Sequence, residues 1–178
     1  MIFVRIADAY RIFARKHPIA FTGISLILAV MWATVIVRFS REDADISGAR
    51  SAKIIVGLAN TVAPSADITL ENYESVPFLH NSERVVRKLA HMTEYAILAV
   101  LEMSFLFGFR DLPRKYTYLF TVISTGVLAF IDEKKIQTMT EGRYGSWIDI
   151  GIDMLAAVIA VRLVYLLTGK YRRKKMSG

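Results

Sequence analysis

Four stretches of the chain are apolar over lengths that set them apart from everything between them. The first runs from Ile19 to Val37 without a charge, and as a helix it matches the roughly 30 Å hydrocarbon core of a bilayer. The second spans about residues 89–109, the third about 116–131 and the fourth about 148–168. The third is at the lower length limit for crossing. The pattern predicts an all-α, polytopic membrane protein with four transmembrane helices, forming one domain over residues 1–178 with an outer loop at 38–88. Pro18 suits the first turn of the first helix. Arg38 to Asp43, which follow it, offer no small-residue cleavage site, so the segment reads as an uncleaved anchor.

The outer loop has its own periodicity. Ile46, Ile54, Ile55, Leu58, Ala59 and Val62 fall near one helical face, which predicts an amphipathic helix ended by Pro64. Ser65 to Pro77 reads as an exposed polar loop. A second short helix is expected to start near Asn81-Ser82, whose side chains can cap it, and to run into the second span.

Charge then orients the four spans. Arg5, Arg11, Arg15 and Lys16 precede the first, Arg110, Arg114 and Lys115 join the second to the third, and Lys170, Arg172, Arg173, Lys174 and Lys175 follow the fourth. Residues 38–88 hold as many acidic as basic residues. Lysine and arginine bias therefore places both termini in the cytoplasm and residues 38–88 and 132–147 outside. The net charge of +7 lies in these flanks rather than along a groove, which speaks for a multi-pass membrane protein and against nucleic acid. A hydrophobic share of 54% agrees with lipid as the surrounding solvent. The chain has no cysteine, which excludes disulfides and thiolate metal sites.

This topology brings seven ionisable residues to one side: His91, Glu94, Asp132, Glu133, Arg143, Asp149 and Asp153. Charges at the ends of membrane helices are costly and make a default functional site. On a helical period His91, Glu94, Leu98 and Glu102 share a face of the second span, and Asp149 and Asp153 share a face of the fourth. Ala156, Ala157 and Ala160 continue close to that face and permit close helix approach. Thr117, Thr121, Ser124 and Thr125 form a polar sector on the third. The first span has no polar stripe and is expected to pack outside these three or against their rear. Gly142 and Gly145 permit a tight turn that folds Arg143 over the site.

Several of these segments resemble the VanZ-like family of bacterial membrane proteins. They are Lys88 to Leu98, Ile131-Asp132-Glu133, Ile136-Gln137-Thr138, Gly142-Arg143 and Asp149 to Asp153, together covering roughly residues 88–160. Here the acidic pair and Gln137 are one residue further apart than in the family pattern, Glu141 stands where a proline commonly precedes the Gly-Arg pair, and Ala156-Ala157 replaces a common glycine. The resemblance implies a polytopic membrane protein, some relatives of which confer low-level resistance to the glycopeptide teicoplanin. It implies no particular reaction.

The chemistry stays open among three readings. His91 serves as a general acid or base oriented by Asp149 or Asp132, with Arg143 gripping a phosphate or carboxylate, on an amphiphile such as a phospholipid, a lipid-linked envelope precursor or a lipophilic glycopeptide. Alternatively, His91 and the carboxylates hold a divalent metal. In the third reading the cluster is a polar network tying three helices together in a non-enzymatic accessory protein. Glu102 reads as a hydrogen-bonded packing residue and the Thr/Ser sector as helix–helix glue. Membrane lipids are the expected surroundings, and cofactor and oligomeric state are left open.

Overall fold

Pro18 stands in the first turn of α1 (Pro18–Ser40), where its missing N–H leaves no extra hydrogen bond unmade. The computed structural model describes residues 10, 12–14, 16–109 and 111–174, with side chains described as far as residue 166. Of the topogenic flank, Arg5, Arg11, Arg15, Arg110 and Lys175 lie outside the described residues, as do the side chains of Lys170 and Arg172 to Lys174. Every regular element among the described residues is helical.

The helix expected within residues 38–88 is α2 (Ala44–Val62), and it stops before Pro64 as the sequence predicts. Its apolar residues divide. Ile55 is buried with Ser51 and Ala52, whereas Ile46, Ile54, Leu58 and Val62 are exposed. A 3₁₀ turn at Pro64–Ala66 follows, then Asp67 at φ 45°, in the left-handed region that aspartate tolerates. The expected exposed loop contains one buried ring, Tyr73, whose hydroxyl donates to Glu83 at 2.5 Å.

The helix expected to start near Asn81-Ser82 starts earlier, at Pro77, and runs into the second apolar stretch as expected. One helix, α3 (Pro77–Phe107), runs through both segments. Pro77 supplies the start signal, because its fixed φ suits a first turn. Ser82 lies inside the helix and donates to the Phe78 carbonyl at 2.7 Å instead of capping. The third apolar stretch is α4 (Arg114–Ile131), and the last is α5 (Trp147–Lys174). Residues 132–139, expected as loop, remain helical in a wide π-turn at Asp132–Ile136 and a 3₁₀ turn at Gln137–Met139.

Helix α3 is central and packs against α1, α2, α4 and α5. Tyr95, Leu98, Ile36 and Ala129 form one buried cluster where α1, α3 and α4 meet. Ala99, Met103, Ala157 and Val161 form a second between α3 and α5, where the alanines let the backbones approach closely. Helix α1, expected outside the three polar helices or against their rear, packs mainly on α3 and reaches the polar cluster with its last residue. The Trp32 indole N–H donates to the Glu94 carbonyl at 2.8 Å, and α1 ends on Ser40, which is wholly buried. Among the described residues, α1 and α3 are long and apolar enough to cross a membrane. Helix α4 begins with Arg114 and Lys115, and α5 carries Asp149, Asp153 and Arg162.

Candidate functional site

The ends of α1 and α4, the start of α5 and the first half of α3 meet at one end of the bundle. The π-turn after Ile131 shapes this meeting. It carries one residue more per turn than an α-helix, a widening often found at functional sites. Gln137 therefore reaches back to both acids, donating from Nε2 to Glu133 Oε1 at 2.6 Å and to Asp132 Oδ2 at 3.2 Å. Ser40 donates its hydroxyl to the same Asp132 oxygen at 2.8 Å. The Ser146 amide donates to Glu133 Oε2 at 2.9 Å, while its hydroxyl accepts from the Ile148 amide and so caps α5. Asp132, Glu133 and Gln137 are all buried. One network thus joins α1, α4 and α5.

The loop over this network is held by backbone contacts. Gly142 has φ 71°, and a Cβ there would come 2.9 Å from the Ala44 methyl. At Gly145 a Cβ would run into the Glu133 carbonyl. Lys134 donates to the Gly145 carbonyl at 2.8 Å and lies over the Trp147 ring at 4.3 Å. Thr140 donates to the Ser40 carbonyl at 3.2 Å, and Arg143 reaches the same oxygen at 3.5 Å.

Beside the network lies a cavity of about 280 Å³. Of the seven candidate residues, His91, Glu133, Arg143, Asp149 and Asp153 line it. Asp132 and Glu94 do not; Asp132 is engaged by Ser40 and Gln137. Asp149 pairs with Lys88 rather than with His91. His91 Nδ1 stands 3.8 Å from Glu94 Oε2, beyond hydrogen-bond distance, and is buried without a partner. Both Asp153 oxygens are likewise buried and unpartnered, as are Nε of Arg87 and Arg143. No group of three His, Asp or Glu residues with metal-holding geometry occurs among the described residues.

Four contributors were not singled out as site residues from sequence: Ser40, Gln137, Arg84 and Arg87. A signal existed for the arginines, since Arg84, Arg87, Lys88 and His91 recur at three- and four-residue intervals on one face of α3. Ser40 carried none, because its role follows from where α1 ends in space. Away from the cavity, Glu102 accepts from Ser124 at 2.6 Å and Thr125 at 2.8 Å, so it ties α3 to α4. Thr117, Thr121 and Thr125 are fully buried along that seam.

Burial is the main cause that holds the Glu133 carboxyl above its ordinary range; the Ser146 amide opposes it, and Asp149 and Asp132 add to it. Burial also lowers the Arg143 guanidinium, and neighbouring Arg87 lowers it further. For Glu133 the folded state holds the proton more tightly than the unfolded chain does. Its contribution is therefore present below the ordinary carboxylate pKa and is lost as pH rises through the raised value. Thermal unfolding in detergent is expected to show stability falling as pH rises above the ordinary carboxylate range, with a flatter profile for Glu133→Gln. An unchanged slope in that variant would assign the dependence to other groups.

Comparison with family models, with curated protein sequences and with solved structures finds no match. What can be said of the site therefore rests on its own chemistry.

Proposed function

We propose that the chain is a four-span, VanZ-like protein of the bacterial plasma membrane, with cytoplasmic termini. On this reading its outer-face cavity binds the anionic headgroup of an amphiphile and acts on it by proton transfer. Support for the spans comes from apolar side chains exposed on α4 and α5 as well as α1, among them Ile27, Met31, Phe120, Ile123, Leu155 and Ile159. The observation that carries the functional reading is the division of the polar cluster. Asp132 and Glu133 accept hydrogen bonds within the protein, although Asp132 Oδ1 stays unpaired away from the cavity, whereas His91, Arg87, Arg143 and Asp153 border the cavity itself with buried polar atoms left over. Buried polar groups without partners are costly, and a ligand that satisfies them recovers that cost.

In this reading Arg143 and Arg87 grip a phosphate or carboxylate, and His91 gives or takes a proton. Asp153 offers two acceptor oxygens to the same space. Candidate amphiphiles are phospholipids, lipid-linked envelope precursors and, through the VanZ-like resemblance, glycopeptides of the teicoplanin type. A second reading, a non-enzymatic accessory protein with a helix-packing network, draws on the Ser40–Asp132–Gln137–Glu133–Ser146 hydrogen bonds, which need no ligand.

Vesicles holding the protein, supplied with lipids extracted from bacterial envelopes and read by mass spectrometry, test this. His91→Ala is expected to abolish conversion while leaving lipid binding intact. Arg143→Ala is expected to weaken binding about tenfold, the worth of a lost charge-assisted contact. Normal conversion by both variants would remove the catalytic reading. Failure of both to insert would favour the helix-packing one.

A further inference from the structure

A groove of about 500 Å³ runs between α3 and α5. Met92, Ala96 and Val100 line it from α3, and Ala156, Ala160 and Leu163 from α5. It lies on the same two helices as the headgroup cavity, beside it on α3 and beyond it on α5, and shares no lining residue with it. Lys88 at the cavity lies one helical turn before Met92, and Asp153 lies one turn before Ala156. Charged lining thus gives way within a single turn to lining that is apolar except for Thr93. From Leu89 to Leu101 the groove extends about 18 Å at 1.5 Å per residue. That is close to one leaflet's share of the roughly 30 Å hydrocarbon core.

The charged end selects what the apolar end holds. Arg87 and Arg143 each keep a buried Nε without a partner and stand close enough to feel each other's charge. Two guanidinium groups in that relation gain from one anion held between them. Lys88 is engaged by Asp149, and Arg84 adds a further cationic side chain to the lining. Four basic side chains stand there against three carboxylates, and with Lys88 and Asp149 paired the balance favours a net anionic headgroup over one that carries its own cation, such as choline.

We propose that the groove seats one hydrocarbon chain of an anionic bilayer phospholipid whose phosphate lies between Arg87 and Arg143. The inference rests on the reading of the cavity as a headgroup site and narrows the amphiphile to a membrane phospholipid. The test uses the full chain in phosphatidylcholine vesicles with phosphatidylglycerol bearing a photoreactive group on one acyl chain. After irradiation, adducts are mapped by peptide mass spectrometry. They are expected on α3 between residues 89 and 101 and on α5 between 156 and 163. Unlabelled phosphatidylglycerol competes them away, and phosphatidylcholine does not. Arg87→Ala and Arg143→Ala are each expected to lower these adducts about tenfold.

Ala96→Phe and Ala160→Phe fill the groove from half-buried positions and are expected to remove the adducts. They should leave intact the binding of short-chain dihexanoyl phosphatidylglycerol, which needs only the cavity. Adducts competed equally by phosphatidylcholine would overturn the proposal, as would displacement by teicoplanin but not by phosphatidylglycerol. Adducts that survive both groove-filling variants would overturn the groove assignment alone, provided the arginine variants still lose dihexanoyl phosphatidylglycerol. No binding of that short-chain lipid by the unaltered protein would overturn the cavity reading and the groove proposal together.

Discussion

Asp132→Ala is expected to lower the stability of the protein by about 2–4 kcal/mol, since each buried hydrogen-bonding group left without its partner costs about 1–3 kcal/mol. Two donors lose an acceptor in this variant, the Ser40 hydroxyl and one arm of Gln137. Gln137 keeps Glu133, so the Ser40 loss dominates. Ser40 closes α1, and the substitution therefore loosens the first helix from the end of the fourth. Part of the loss is offset, because Asp132 Oδ1 is itself buried without a partner and disappears with the carboxylate. Unfolding in mixed detergent measures the effect. A double-mutant cycle with Ser40→Ala is expected to return a coupling of about 1 kcal/mol. A change within about 0.5 kcal/mol for Asp132→Ala would show that the network does not bind the helices together.

Gly145→Ala is the second large effect, expected at about 2–4 kcal/mol. The added methyl would run into the Glu133 main-chain carbonyl, which has no rotamer to give way. Overpacking of this kind costs about 1–3 kcal/mol. The loop shift that relieves it also pulls the Ser146 amide from Glu133, adding the cost of a carboxylate hydrogen bond. Gly151→Ala provides the control. A Cβ at Gly151 meets nothing within 4 Å, and the position lies inside α5. Replacement there is expected to stabilise by about 0.5–1 kcal/mol through helix propensity. Matching unfolding of the two variants would contradict the packing described at Gly145.

Much of the architecture was legible because length and hydrophobicity act locally. The apolar stretches from Ile19, Leu89, Tyr116 and Ile148 all form helices, and Pro64 ends the helix before it. Helical phase also carries information about faces, as the buried threonines of α4 and the Glu102 hydrogen bonds illustrate. Errors arose where two local signals competed or where distance in sequence hid a contact. Asn81-Ser82 is a good cap in isolation, yet Pro77 starts the helix four residues earlier and the serine becomes an interior residue. The share of α1 in the polar cluster was illegible because its own residues are apolar, while the contact is made by its terminal serine to an aspartate 92 residues away. Pairings within the polar cluster were illegible for the same reason. Spacing gathers Asp149, Lys88 and His91 to one end of the bundle, but only the packing of α3 on α5 gives Asp149 to the lysine.

The π-turn at Asp132–Ile136 has a consequence for how the chain tolerates change in length. A wide turn is the form in which a helix absorbs one additional residue between its acidic pair and Gln137. Removing a residue from a regular helix turns everything beyond it by about 100°. Here the surplus is taken up within five residues, and the glutamine still meets both carboxylates. The spacing of this segment, not only the identity of its side chains, is therefore part of what the site encodes. A one-residue deletion between Glu133 and Gln137 is a change of geometry that substitution alone does not reproduce.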